Sequence, residues 1–131
     1  MNHHPPLPTV AILGLGIIGS QAASHIAAAG YPSVTWSCSR RERPDFEPDA
    51  GVAADKAEII VCYLKDVKAV RETFESIKPF LGPGKTFINH ATVDYETTDY
   101  LVNECAKINC AFLNAPFTGS KIAAGLSLIH I

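Results

Sequence analysis

The stretch Val10-Ala11-Ile12-Leu13-Gly14-Leu15-Gly16-Ile17-Ile18-Gly19 joins a short apolar run to the pattern G-x-G-x-x-G. The run before the glycines predicts a β-strand from about Thr9 to Leu13. The small and apolar residues after it predict a helix from about Ile17 to Ala29. A strand, a glycine-rich turn and a helix in this order are typical of the start of a βαβ unit.

Each glycine of this pattern has a separate task in a dinucleotide-binding fold. Gly14 lets the chain turn sharply, Gly16 lets the backbone approach a pyrophosphate, and Gly19 lets the helix pack close to the sheet. The free N–H groups at the start of the helix would then bind phosphates. The alternative is an ordinary glycine-rich turn between a strand and a helix. The predicted cofactor-binding residues of this segment are Gly14, Leu15, Gly16, Ile17, Ile18 and Gly19.

The composition is that of one ordinary globular domain. The chain has 131 residues, of which 47% are hydrophobic and 18% charged, and its net charge is -2. This balance gives no reason to expect a nucleic-acid or membrane partner. We expect residues 1–8 to be a disordered tail, without the features of a signal peptide, and residues 9–131 to form the domain.

Four cysteines, at positions 38, 62, 105 and 110, form no C-x-x-C pair and have no histidine at zinc-ligand spacing. We therefore predict no metal site. Cysteines within strand or helix patterns behave as small apolar residues, so a reducing, cytoplasmic location is expected.

Strand and helix patterns alternate along the chain, which predicts an α/β fold of the Rossmann type: a doubly wound, mostly parallel sheet with helices on both faces. The predicted strands cover about 9–13, 33–38, 58–64, 86–89 and 111–114, and the helices 17–29, 66–80 and 95–108, with a short helical or irregular piece at 50–57. Asp66 and Asp94 are predicted helix N-caps. Ligands of such sheets bind at the carboxyl ends of the strands. The loops to search are therefore 14–19, 39–41, 64–66, 90–94 and 115–121.

The cofactor preference is predicted from the end of the second strand. NAD-binding domains usually carry Asp or Glu there to hold the ribose 2′-hydroxyl. Here Ser39, Arg40 and Arg41 occupy the place, and guanidinium groups suit a 2′-phosphate. These residues predict NADP rather than NAD. A solvated charge run partly balanced by Glu42 is the alternative.

Four segments together resemble the β-hydroxyacid dehydrogenase family, which includes 3-hydroxyisobutyrate dehydrogenases, glyoxylate and succinic semialdehyde reductases and the NADP-binding domain of 6-phosphogluconate dehydrogenase. The segments are the glycine pattern 14–19, the run 58–70, the segment 84–94 and the segment Ala111-Phe112-Leu113-Asn114-Ala115-Pro116-Phe117-Thr118-Gly119-Ser120. Their order and spacing hold from about Thr9 to Gly125.

The resemblance implies roles for individual residues. Leu64 would line the dinucleotide groove, and Thr92 would contact the cofactor near its nicotinamide. Thr118, Gly119 and Ser120 would bind the carboxylate of a small substrate. The chain departs from the family pattern at Asn89 and Asn114, which replace Asp, and at Ala91, which replaces Ser. The region 40–58 is shorter than usual, so a small sheet element is expected to be missing.

His90 and Lys121 are two further residues whose side chains could take part in catalysis. His90 is either a proton relay or a simple loop histidine. Lys121 is expected to be a loop residue, because the family's catalytic Lys lies in a helix well beyond the substrate loop. No catalytic residue is therefore assigned within the chain, and the Lys is expected after Ile131.

The resemblance implies a domain cut short before the family's C-terminal helical domain, from a protein that forms a homo-oligomer. The implied activity is hydride transfer between a nicotinamide cofactor and a small 3-hydroxy acid or aldehyde acid. Two alternatives stay open: an imine reductase, and a non-catalytic dinucleotide-binding or interaction module.

Overall fold

The fold is a five-stranded parallel sheet flanked by four helices in a computed structural model that describes residues 6–116. The strands are β1 Val10–Leu13, β2 Ser33–Trp36, β3 Ile59–Cys62, β4 Thr86–Asn89 and β5 Ala111–Asn114. The helices are α1 Ile17–Ala28, α2 Ala50–Lys56, α3 Val67–Ile77 and α4 Tyr95–Lys107. The predicted Rossmann-type α/β class is confirmed.

The strands are arranged β2-β1-β3-β4-β5, and all neighbouring pairs are parallel. β1 and β3 lie in the middle and are almost wholly apolar, as strands covered on both faces should be. The chain adds β2 on one side of β1 and then crosses over to add β3 on the other. This reversal next to β1 is the topological switch point at which α/β sheets bind ligands.

Helices cover both faces of the sheet. On one face α2, α3 and α4 bury their apolar sides against alternate strand residues such as Leu13, Ile60 and Phe87. On the other face α1 packs against Ile12 and Val61 through small residues, which lets it approach the sheet closely. The glycine turn therefore lies between the sheet and the start of the helix that covers this face.

The small sheet element expected to be missing is reduced to a single bridge. Phe46 pairs in parallel with Thr35 of β2 on the outer side of the sheet. The Thr35 N–H donates to Asp45 O at 2.8 Å, and the Glu47 N–H donates to Thr35 O at 2.7 Å. These bonds close the edge of β2 without a further strand.

Helix α3 ends three residues before the predicted end at Phe80. Pro79 lacks the N–H that would bond to the carbonyl of Glu75 and continue the helical ladder. The chain tightens there into a 3-10 turn, Lys78–Phe80. Strands β2 and β3 are also shorter than predicted, because their last residues turn into the loops at the carboxyl edge.

Candidate cofactor site

The first and third glycines of the pattern are required by the protein's own packing. Gly14 has a φ of +104°, and a Cβ there would lie 2.8 Å from the backbone C and O of Tyr63. A Cβ on Gly19 would lie only 1.9 Å from the carbonyl oxygen of Gly14. Any side chain at either position would push α1 or β3 away from the turn.

Gly16 is different, because nothing in the described structure explains the absence of a side chain. A Cβ built there meets no atom within 4 Å. Its φ of -69° is allowed for any residue. The open space over Gly16 lets a ligand approach the protein backbone closely. The second glycine of a dinucleotide-binding turn leaves such a space for the pyrophosphate.

Among the four α-helices of the described residues, α1 is the one whose start has no side-chain cap. Gly16 supplies no capping atom, and no acidic residue lies in the first turn. In contrast, Asp49, Asp66 and Asp94 cap the other three helices through bonds of 3.2, 2.8 and 2.8 Å to backbone N–H groups. The first N–H groups of α1 are therefore free to bind an anion.

A cleft of about 330 Å³ opens in front of this helix start, at the carboxyl ends of β1, β3 and β4. It is lined by Gly16, Ile17, Ile18, Gly19, Tyr63, Leu64, Lys65, His90, Ala91 and Thr92. Six of these were predicted as cofactor-binding residues, whereas the predicted Gly14 and Leu15 are buried and do not line the cleft. Sequence reasoning missed Tyr63, Lys65 and Ala91, although each adjoins a residue that it had chosen.

Backbone bonds hold the loops of this edge in register. The sheet ladder continues one step past each strand, from Gly14 N to Trp36 O, Tyr63 N to Leu13 O and His90 N to Cys62 O, at 2.8, 2.7 and 2.9 Å. The loops therefore begin from a rigid edge, and the side chains of Tyr63 and His90 come side by side.

Tyr63 and His90 stack with ring centroids 4.9 Å apart and an interplanar angle of 20°. His90 Nδ1 lies 2.6 Å from Ala115 O, while His90 Nε2 and the Tyr63 hydroxyl are buried and have no hydrogen-bond partner among residues 6–116. Burial lowers the pKa of His90, against the opposing effect of the bond to Ala115, and burial raises the pKa of Tyr63. Both rings are therefore uncharged near neutral pH.

The hydrogen bonds of Asn89 explain why this chain has Asn where the resembled family usually has Asp. Its amide nitrogen donates to Ala91 O at 3.0 Å and to Asn114 Oδ1 at 3.1 Å, and its oxygen accepts from the Ala91 N–H at 3.1 Å. The side chain is fully buried. A carboxylate could not make the two donations, so the amide is the form that fits these partners.

Ser39, Arg40 and Arg41 follow β2 and are exposed, outside the cleft wall. Within residues 6–116 neither arginine forms an ion pair, whereas Arg43 is bound to Asp45 at 3.0 Å. Glu42 likewise pairs with neither of them in this part of the chain. Their guanidinium groups stay available on the far side of β1 from His90.

The predicted substrate residues Thr118, Gly119 and Ser120, together with Lys121, lie outside the described residues. Between residues 6 and 116, no group of three or more His, Cys, Asp or Glu side chains could hold a metal ion. The helices in that same part of the chain are all too short or too polar to span a membrane.

The family model described as the NAD binding domain of 6-phosphogluconate dehydrogenase matches residues 9–127. The chain belongs to this family. It is a nicotinamide-cofactor-binding domain, and the resemblance seen in the sequence is confirmed. None of the curated protein sequences compared with it matches this NAD-binding domain.

Solved structures share the fold. The 3-hydroxyisobutyrate dehydrogenase of Mycobacterium tuberculosis, solved with L-serine, superposes with a TM-score of 0.83 at 19% identity, over 92% of this chain and 44% of that one. An imine reductase variant from Myxococcus stipitatus with NAD+ gives 0.81 at 16% identity, over 88% of this chain and 43% of that one. A reductive aminase from Aspergillus terreus with NADPH and ethyl levulinate gives 0.76 at 16%, over 89% and 43%. This NAD-binding domain thus spans less than half the length of each.

Proposed function

We propose that the chain is the NADP-binding part of an oxidoreductase that transfers hydride between the cofactor and a small 3-hydroxy acid or aldehyde acid. The observation that carries the cofactor part is Gly16, whose missing side chain leaves room that the protein itself does not use. The uncapped start of α1 beside it offers backbone N–H groups to a pyrophosphate.

The preference for NADP is supported by the two free arginines after β2. A planar guanidinium forms paired, charge-assisted bonds with a phosphate, and Arg40 and Arg41 are not neutralised by a described carboxylate. The sheet order places these residues on one side of β1 and the loops of β3 and β4 on the other. A dinucleotide lying across the start of α1 would reach both.

The substrate part of the proposal rests on the resemblance of the segment 111–120. In that scheme Thr118, Gly119 and Ser120 hold the substrate carboxylate, and Thr92 helps to place the nicotinamide. A bound nicotinamide supplies or accepts the hydride. The proton on the substrate oxygen would be handled by a Lys from residues beyond Ile131, in a homo-oligomer working in the reducing environment of the cytoplasm.

Gly16→Ala tests the cofactor proposal. The new methyl group meets no protein atom, so the free energy of unfolding should change by no more than about 1 kcal/mol, while NADPH affinity falls tenfold or more because the methyl occupies the space of the pyrophosphate. Isothermal titration with NADPH and chemical unfolding measure the two effects.

Gly82→Ala is the matched control. Its Cβ would lie 3.8 Å from Ile108 O, which is an ordinary contact, and Gly82 is remote from the cleft. This variant should bind NADPH like the parent chain. If the parent chain binds neither NADPH nor NADH, the cofactor proposal fails, and of the alternatives only an interaction module that binds no dinucleotide agrees with the result.

A further inference from the structure

Two residues of the cleft lining each bury a polar atom that has no hydrogen-bond partner among the described residues. Only three buried side-chain atoms in the described residues lack a hydrogen-bond partner: Gln21 Oε1, the Tyr63 hydroxyl and His90 Nε2. The last two belong to stacked rings that line the same cleft. Buried polar groups are normally paired, so two unpaired atoms in neighbouring residues of the cleft lining indicate that a bound ligand supplies the partners.

The surroundings of His90 determine which kind of partner it needs. Ala115 O can only accept a hydrogen bond, so His90 Nδ1, at 2.6 Å, must carry the proton of the ring. In the neutral imidazole, Nε2 then has a lone pair and can only accept. Burial lowers the pKa of His90, which preserves this neutral form near neutral pH. The missing partner must therefore be a donor.

An anion does not satisfy this requirement. The lone pair on Nε2 would face the lone pairs of a carboxylate or phosphate, with no proton between them. A hydroxyl or an amide N–H does satisfy it. The Tyr63 hydroxyl, on the ring that stacks against the imidazole, can either donate or accept a hydrogen bond.

The sheet order indicates which part of a dinucleotide would be near. The pyrophosphate site is at α1 after β1, and the two free arginines follow β2 on one side of it. His90 follows β4 and Tyr63 follows β3, both on the other side. If the phosphate-bearing ribose lies toward the arginines, the nicotinamide half lies toward the stacked pair.

We propose that His90 Nε2 accepts a hydrogen bond from an uncharged donor on the nicotinamide half of the bound dinucleotide, either a ribose hydroxyl or the carboxamide N–H. Tyr63 holds the imidazole in place by stacking and offers its hydroxyl as a second contact. This assignment rests on the proposed cofactor function, and it makes both residues cofactor-binding residues that motif reasoning did not assign.

His90→Asn tests the assignment, because the asparagine amide can still donate toward Ala115 O but has no atom at the place of Nε2. The variant should bind NADPH about three- to tenfold more weakly than the parent chain, the range expected for losing one hydrogen bond. In the parent chain, the nitrogen NMR shift of His90 Nε2 should move on NADPH binding as an acceptor nitrogen does when it gains a donor. The exposed His25, changed to Asn, is the matched control and should leave both unchanged.

Titration with a second ligand, 2′-phospho-ADP-ribose, distinguishes the ribose hydroxyl from the carboxamide as the donor to His90. This ligand keeps the ribose and lacks the nicotinamide. A loss of affinity for both ligands in His90→Asn assigns the ribose hydroxyl, and a loss for NADPH alone assigns the carboxamide. NADPH binding by the parent chain with equal affinity in a folded His90→Asn variant overturns this inference while leaving the cofactor proposal intact. Absence of NADPH binding by the parent chain overturns both.

Discussion

Individual residues at the carboxyl edge of the sheet are chosen by hydrogen-bonding capacity as much as by size. Asn89 and Asn114 are uncharged amides at positions where the resembled family usually has Asp. Asn89 is buried, and so is the uncharged His90 next to it. Each is matched to a particular carbonyl or amide. The result is an uncharged Tyr63–His90 pair in the cleft that the uncapped start of α1 also lines.

Asn89→Asp should therefore destabilise the protein, although it restores the residue of the resembled pattern. The carboxylate would lose two donations, to Ala91 O and Asn114 Oδ1, and would face both acceptors in a buried position. We expect the free energy of unfolding to fall by about 1–3 kcal/mol near neutral pH, measured by urea unfolding.

The exposed Asn103 on α4, changed to Asp, controls for the added charge and should change stability by no more than about 0.5 kcal/mol. Asn89→Asp should recover part of its loss as the pH falls toward 4, because the protonated carboxyl is neutral and can donate one hydrogen bond. Equal stability of Asn89→Asp and the parent chain would contradict the bonding pattern described here.

Arg40→Glu tests the proposed preference for NADPH over NADH. Reversing this exposed charge should weaken NADPH binding by about tenfold or more and affect NADH binding little, because only NADPH carries the 2′-phosphate. Titration calorimetry of both cofactors gives the ratio of the two affinities.

Lys68→Glu makes the same charge change on an exposed side chain of α3. It controls for the effect of the altered net charge on the electrostatic attraction of the cofactor. An unchanged ratio of NADPH to NADH affinity in Arg40→Glu would show that the 2′-phosphate is not bound by Arg40.

Helix starts differ according to what they contact. The aspartates at the starts of α2, α3 and α4 satisfy local N–H groups, whereas α1 starts at a glycine without a cap. Two of the three caps, Asp66 and Asp94, were predicted from sequence, and both are confirmed. The Asp49 cap of the short helix α2 was missed, because the proline-bearing loop before it hides the start of the pattern.

Asp66→Ala should lower the free energy of unfolding by about 1 kcal/mol, since the Ala69 N–H loses its partner at the start of α3. Asp66→Asn keeps an acceptor at the same place and should retain most of the stability. Chemical unfolding of the three proteins measures the difference. Identical losses in the two variants would mean that the charge of Asp66, and not its hydrogen bond, stabilises the helix.

Over the whole molecule, the packing of the sheet decides which groups meet solvent. All four cysteines are unpaired, yet only Cys38 is exposed, while Cys62, Cys105 and Cys110 are buried. A hydrogen bond with Cys105 lowers the pKa of Cys110, which by itself would make that thiol more reactive. Burial works in the opposite direction by excluding the reagent.

A thiol-reactive reagent should therefore modify one cysteine rapidly in the folded protein and four after unfolding in urea. Mass spectrometry identifies the site, which we expect to be Cys38. Cys38→Ser should abolish the rapid reaction and leave the three slow thiols unchanged. Rapid modification of Cys110 would mean that the start of β5 opens far more readily than the described packing implies.

The amino-acid sequence alone was sufficient for features that depend on neighbouring residues. The fold class and the family could be predicted from local patterns with direct physical causes. These are the glycine turn, the small residues of α1, the apolar runs of β3 and β4 and the caps at Asp66 and Asp94. Even the requirement for Gly14 and Gly19 follows from the tight turn that the pattern predicts.

The tertiary structure decided what depends on register between distant segments. The stack of Tyr63 on His90 and the bond from Asn89 to Asn114 arise because parallel strands bring their carboxyl ends to one edge. The single bridge at Phe46 arises because the loop after β2 returns along the free side of that strand. No local pattern encodes which side chains become neighbours there. Burial then favours the neutral imidazole of His90, whose Nε2 has no partner among the described residues, and neither property could be read from the sequence before its surroundings were known.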